Sequence, residues 1–227
     1  MLHLSQNVAR VFSRLTMVAL LAAMAGCGPS AQQTADSVKA LKAANALVVS
    51  NGASVTLSSM DEGTNISEAV AHLKNLPNLG ALNCTDMTLA PEDFAVIGKL
   101  SNLTSLTLNN TNLDDAGLAK LSGLRKLQAL NIASTQVTGD GLSALSGLGA
   151  VTTLDLSGSK VTSGLEPLAK MASLDTLTLR SMTLDDGALA GLASSKSLGT
   201  VRLGESQYSD TDKEQLQSAI AGLEVQE

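Results

Sequence analysis

An internal repeat of about two dozen residues runs through this 227-residue chain and limits what it can fold into. The segment Leu103-Thr-Ser-Leu106-Thr-Leu108 recurs 24 residues later from Leu127, after another 24 from Val151, and after 23 more from Leu174. One weaker copy stands on each side, so about six units cover residues 76–208. In each unit, alternation puts two apolar side chains on one face of a short strand. One such strand cannot bury that face alone, so the units must stack over a shared core.

The spacing of these apolar residues resembles the leucine-rich repeat, L-x-x-L-x-L-x-x-N/C-x-L. This resemblance implies an α/β fold, a solenoid shaped as a right-handed horseshoe or arc. A parallel sheet would line its concave side and short helices its convex side. The Thr-x-Val-Thr-like turns are similar to the short repeats that are common in planctomycete lipoproteins.

A helix is predicted after each repeat strand. Apolar pairs spaced i, i+3 place two side chains on one inward helical face, from Phe94 with Ile97 to Leu189 with Leu192. Residues suited to helix N-caps stand just before five helices: Asp114, Thr138, Thr162, Asp185 and Ser209. Glycines near the helix ends suit a left-handed backbone: Gly98, Gly123, Gly147 and Gly191.

Both ends of the repeat array are predicted to be capped, since a terminal unit would otherwise expose its core. Residues 37–75 form the N-terminal cap, with an amphipathic helix over 37–49, an entry strand around Val55 and Leu57, and a helix that begins after Asn65. Residues 209–227 form a C-terminal capping helix, because Leu216, Ala219, Ile220 and Leu223 follow helical spacing.

The first 26 residues resemble a bacterial lipoprotein signal peptide. Arg10 and Arg14 precede an uncharged apolar run that is too short to cross a ~30 Å hydrocarbon core as a helix. The run ends in Met24-Ala-Gly-Cys27, which is similar to a lipobox and implies cleavage before Cys27 and lipidation of that residue. An ordinary secretory signal followed by a chance cysteine is the alternative. Residues 27–36 are small and polar and predict a flexible lipidated tether.

The lipoprotein resemblance also implies a location. The protein is expected in the cell envelope, with the membrane as a partner through its N-terminal lipid. Gly28, rather than Asp, follows the cysteine and favours the outer membrane or periplasmic face.

Composition and charge argue against several function classes. The formal net charge is −6 and no cluster of basic residues appears, so a nucleic-acid partner is not expected. After removal of residues 1–26, His72 is the only histidine and Cys84 the only thiol besides Cys27. Metal centres and Ser-His-Asp triads need more ligands or partners than these. We therefore predict that the chain is not an enzyme and has neither a cofactor nor a metal site.

The resemblance places binding on the concave strand face. The outward strand residues include a few that can recognise a ligand, and we take these as the candidate site: Asn83, Thr107, Asn131, Asp155, Thr178, Arg180 and Arg202. Within this set the corner of Asp155, Arg180 and Arg202 is favoured, because arginine can bind a carboxylate through two parallel hydrogen bonds. Asp155 pairing with one of the arginines is the simpler interpretation. Two functions remain: a protein-interaction module that binds another envelope or extracellular protein, and a structural spacer without a specific ligand.

The lipidation hypothesis gives the first prediction. A Cys27→Ser change removes the only site at which the lipobox chemistry can attach acyl chains, so the protein should move from the membrane fraction to the soluble fraction or the medium. Cell fractionation followed by immunoblotting measures this. If the variant stays in the membrane fraction, the lipoprotein assignment is wrong.

Overall fold

A computed structural model describes residues 28–57, 65–204 and 206–227. The predicted signal peptide and Cys27 lie outside these residues. Within them, nine strands form one sheet whose spatial order follows the chain order. The strands are β1 Leu47–Val49, β2 Ser54–Leu57, β3 Ala81–Cys84, β4 Ser105–Thr107, β5 Ala129–Asn131, β6 Thr153–Asp155, β7 Thr176–Thr178, β8 Thr200–Arg202 and β9 Glu224–Gln226.

The strand register brings the repeat leucines into one continuous core. From β2 to β9 neighbouring strands are parallel, whereas β1 pairs with β2 in the antiparallel sense. The middle residues of the six repeat strands face one another across the sheet and are each at most 2% exposed: Leu82, Leu106, Leu130, Leu154, Leu177 and Val201. The predicted α/β solenoid is therefore confirmed, with the core lying behind the sheet.

Short helices follow the strands and pack against one another. The α-helices are α1 Ala31–Ala43, α2 Ile66–Leu73, α3 Pro91–Ile97, α4 Asp115–Lys120, α5 Glu166–Ala169 and α6 Asp210–Ala219. Three segments are 3₁₀ helices: η1 Ser50–Gly52, η2 Asp140–Gly147 and η3 Ala188–Leu192. The predicted i, i+3 pairs are buried, with Ile97, Leu189 and Leu192 each 0% exposed. Neighbouring strands are about 4.8 Å apart, whereas neighbouring α-helices pack about 8–10 Å apart. The strand side and the helix side of the solenoid therefore differ in spacing, and the narrower 3₁₀ helices reduce this difference.

The prediction of left-handed glycines at the helix ends is wrong. Gly98, at the end of α3, has a φ of −62°, and Gly123, Gly147 and Gly191 likewise lack positive φ. Gly98 is needed for space instead, because a Cβ there would lie 2.0 Å from the carbonyl oxygen of Lys120 in the next unit. Positive φ recurs instead at one place in five units, the turn after the strand: Asp86, Asn110, Ser134, Gly158 and Ser181.

Those left-handed residues connect neighbouring units. The N–H of each donates to a backbone carbonyl of the following unit, at 2.7 to 3.2 Å. Asn112 does the same with its side chain, since its amide accepts from the Leu89 N–H at 2.8 Å and donates to the Leu89 carbonyl at 2.9 Å. The turns therefore continue the hydrogen bonding of the sheet beyond the three-residue strands.

Of the five residues, Ser209 and Asp114 occupy N-cap positions, and a side-chain capping bond is made only by Asp114. Its carboxylate accepts from the Gly117 N–H at 2.8 Å, whereas Ser209 precedes α6 without a side-chain cap. Thr138 and Thr162 instead donate their hydroxyls to carboxylates of neighbouring units, at 2.7 Å to Asp115 and 2.9 Å to Asp185. Helices η2, α5 and η3 begin later, so these side chains link turns rather than cap helices.

Both ends differ from the sequence prediction. Helix α1 already begins at Ala31, where Ser30 and Gln33 form a capping box, so the predicted tether over 27–36 is too long. The helix also ends at Ala43, and residues 47–49 form β1 instead. At the other end, α6 stops at Ala219 and the chain adds β9. The entry strand around Val55 and Leu57 is confirmed as β2.

The register predicts the effect of a charge in the core. Leu154 is 0% exposed, so Leu154→Asp would bury an unpaired carboxylate and should lower the free energy of unfolding by several kcal/mol. Thr153→Asp is the matched control, because Thr153 lies next along β6, is exposed and points to the opposite face. Thermal and urea unfolding of the two variants in the Cys27→Ser background measures the difference. Equal stabilities would contradict the register.

Candidate functional site: the outer face of the sheet

The predicted site residues lie in one row across the sheet. We call the face of the sheet that points away from the core the outer face. It carries the third residue of each repeat strand. These residues are in direct register from strand to strand: Asn83, Thr107, Asn131, Asp155, Thr178, Arg202 and, on β9, Gln226. Arg180 follows β7 two residues after Thr178. The structure thus brings the seven predicted residues onto one face of the sheet, where Thr178 is only 8% exposed.

A hydrogen-bond network fixes the centre of this row. The Asp155 carboxylate accepts from the Ser157 N–H at 2.9 Å and from the Ser157 hydroxyl at 2.6 Å through one oxygen. Its other oxygen accepts from the Asn131 side-chain amide at 3.3 Å. Asn131 is itself held, because its carbonyl oxygen accepts from the Ala133 N–H at 3.0 Å. The carboxylate is therefore oriented by neutral donors.

The alternative interpretation, in which Asp155 pairs with an arginine, is not observed among the described residues. Lys213 with Glu227 is the one salt bridge in the described part of the chain, and it lies in the C-terminal region. Arg202 instead donates its Nε to Gln226 at 2.9 Å, and Arg180 is exposed, with its backbone N–H donating to Ser157 at 3.2 Å. Asp155 and Arg202 stand two strands apart, about 10 Å, with Thr178 between them. The corner therefore presents separated charges of both signs.

Sequence reasoning missed four residues of this surface. Ser157 holds the carboxylate and Gln226 holds Arg202, although Gln226 stands 24 residues after Arg202 and the repeat period identifies its position. At the opposite edge, Leu47 and Val49 of β1 are 62% and 46% exposed. β1 is antiparallel and lies outside the repeat, so the repeat period gave no signal for it.

The Cys84 thiol is buried in the core, and the His72 ring contacts the neighbouring helix. Cys84 is 0% exposed, and burial, with a further contribution from the nearby Asp93 carboxylate, raises the pKa of its thiol to about 12. His72 lies on α2, where its Nδ1 is 3.2 Å from the Ser37 hydroxyl. That hydroxyl also accepts from Asn75 at 3.0 Å and is 1% exposed, so it joins α1 to α2.

The described residues contain no group of three or more His, Cys, Asp or Glu side chains placed to hold a metal ion. They also contain no helix with the length and apolar character that crossing a bilayer requires.

Comparison with known proteins supports the fold assignment. Residues 101–161 match the family model described as leucine rich repeat. A leucine-rich repeat protein of Leptospira interrogans is similar in structure, with a TM-score of 0.53 at 19% identity over 68% of this chain and 38% of that one. An internalin of Listeria monocytogenes gives a TM-score of 0.46 at 20% identity over 76% of this chain and 54% of that one. The chain thus spans less than two thirds of either protein. No curated protein matches the sequence.

The Cys84 environment predicts its chemistry. At pH 8 a thiol with a pKa of about 12 forms roughly a thousandfold less thiolate than an ordinary one, and burial also blocks the reagent. In the Cys27→Ser variant, native protein should not react with a maleimide, and one thiol should react after unfolding in urea. A Cys27→Ser/Thr153→Cys variant supplies an exposed thiol as the control. Rapid labelling of Cys84 in the native state would contradict this environment.

Proposed function

We propose that the chain is a membrane-anchored leucine-rich repeat lipoprotein that acts as a protein-interaction module of the cell envelope. Cys27 would carry the lipid, and the outer face of the sheet would bind another envelope or extracellular protein. The outer membrane or periplasmic face is the proposed location, and the short repeats suggest a planctomycete-type lipoprotein. The fold supports the interaction role, since solenoids use their extended sheet surfaces for binding.

The observation that carries this proposal is the hydrogen bonding of the Asp155 carboxylate. Its carboxylate is fixed by Ser157 and Asn131, yet no described basic side chain pairs with it. A preorganised charge loses little side-chain freedom when a partner binds. Arg202 is fixed in the same way by Gln226, about 10 Å away. The surface therefore suits a protein segment that presents a basic or amide donor and a carboxylate at that separation.

We propose a non-enzymatic role. The Cys84 thiol is buried, and the Ser37 hydroxyl that contacts His72 belongs to a residue that is 1% exposed and already accepts from Asn75, so a substrate cannot reach either group.

Cross-linking in the native cell tests the interaction. The lipidated wild-type protein and an Arg180→Glu/Arg202→Glu variant are cross-linked and purified, and the partners are identified by mass spectrometry. A partner should be enriched with the wild type and reduced at least about tenfold in the variant, since opposite charge at a recognition arginine costs more than about 1.4 kcal/mol.

A variant with the same charge change elsewhere is the control. Lys170→Glu/Lys196→Glu alters two exposed lysines outside the strands and should keep the partner. Loss of the partner in both variants would indicate a nonspecific charge effect. The absence of any enriched partner would favour the alternative role, a structural spacer of the envelope without a specific ligand.

A further inference from the structure

The connection between the lipidated residue and the folded domain is very short. Only Gly28, Pro29 and Ser30 separate Cys27 from the first residue of α1, and Ser30 is already the N-cap. Four Cα steps span at most about 14 Å, and Pro29 restricts the backbone further. A lipid on Cys27 would therefore hold the start of α1 close to the bilayer surface rather than on a flexible arm.

Helix α1 and strand β1 form the terminal layer of the solenoid. Among the described elements, α1 contacts α2, β1 and η1 and no later element, and β1 pairs with β2 on one side only. The chain enters the solenoid through this layer. Any surface that holds Cys27 therefore lies next to the end of the stack and not next to the sheet centre.

The rim of this terminal layer is apolar. Leu47 and Val49 alternate along β1, share the outer face and are the only large hydrophobic side chains exposed in the described part of the chain. Residues 43–57 carry no charged side chain. The opposite edge strand, β9, contrasts with this, because Glu224 is exposed at the position in line with Val49 and Lys213 binds Glu227 beside it. Edge strands are normally protected by charges of this kind.

The distribution of charge also favours an approach of the N-terminal end of the solenoid to a membrane. Residues 28–75 hold three basic and four acidic residues, whereas residues 76–227 hold ten basic and seventeen acidic ones. Bacterial membrane surfaces are commonly negative, and like charges repel within about a Debye length of ~8 Å. The nearly neutral terminal layer can approach such a surface, and the acidic repeats are favoured away from it.

We infer that the terminal layer docks on the bilayer, with Leu47 and Val49 entering the lipid interface as a second membrane contact beside the lipid on Cys27. This inference rests on the proposed lipidation. Two side chains of this size add a small apolar area, so they orient the protein rather than anchor it. The solenoid would then stand on its N-terminal end and not move freely on a tether.

Depth-dependent fluorescence tests this orientation. Lipidated protein is purified from membranes and placed in phosphatidylcholine vesicles that carry a quencher on the acyl chains. An environment-sensitive fluorophore is attached to Leu47→Cys or, separately, to Val49→Cys. Buried Cys84 does not compete for the label. Glu224→Cys is the matched control, because it is exposed on the same face at the opposite edge of the sheet.

Docking predicts blue-shifted emission and severalfold stronger acyl-chain quenching at positions 47 and 49 than at position 224. Equal quenching at all three positions while the protein still floats with the vesicles would overturn the docking and leave the lipidation intact. Protein that does not float would overturn both. Shielding at position 47 that depends on protein density, without acyl-chain quenching, would assign the edge to a second copy of the chain and overturn the membrane contact.

Discussion

Each repeat strand of this protein has only three or four residues, and none can hold its position without the strands beside it. Position is set by inward residues that recur at one place in each unit, since Leu106, Leu130 and Leu154 lie opposite one another and are at most 2% exposed. A shift by one residue would turn these leucines to the outer face. The dry core therefore fixes the strand register, and the register places the outer-face residues in a row. The arrangement of the candidate site therefore depends on core leucines that do not belong to the site.

Because the strands are short, the turns supply many of the hydrogen bonds between neighbouring units. Left-handed residues such as Asn110 and Ser134 direct their N–H groups to the next unit at 2.9 and 2.7 Å. Asp115 accepts both the N–H and the hydroxyl of Thr138, and Asp93, 2% exposed, joins the N-terminal cap to the first repeat through Ser67 at 2.9 Å. Buried polar groups of this kind are favourable only when satisfied, so they fix the spacing of neighbouring units.

The repeat period predicted the sheet, its register and the outer-face row, because apolar residues at fixed spacing have one burial solution. Details of the turns were not predictable in this way. Asp and Thr in the segments between a strand and the next helix suit helix caps and inter-turn bonds equally well, and the choice depends on where the neighbouring unit stands, as Thr162 with Asp185 shows. Likewise, Gly98 resembles a helix stop in sequence, yet it is required by the Lys120 carbonyl of the next unit. Strand β9 contributes one inward residue, Val225, too weak a signal to outweigh the helical spacing before it.

The two proposals constrain each other through the geometry of the stack. With the terminal layer on the bilayer, the strands succeed one another away from the membrane at about 4.8 Å each, so β6 to β8 lie about 24 to 34 Å from β1. That distance exceeds the ~8 Å Debye length several times, so lipid charges would not compete for Asp155 or Arg202. The small, mostly uncharged side chains of β3 to β5 would then act as the spacer that lifts the charged end clear of the surface. In this arrangement the half of the chain near the membrane would act as a spacer, and the other half would bind the partner. The two alternative functions would then be combined in one protein.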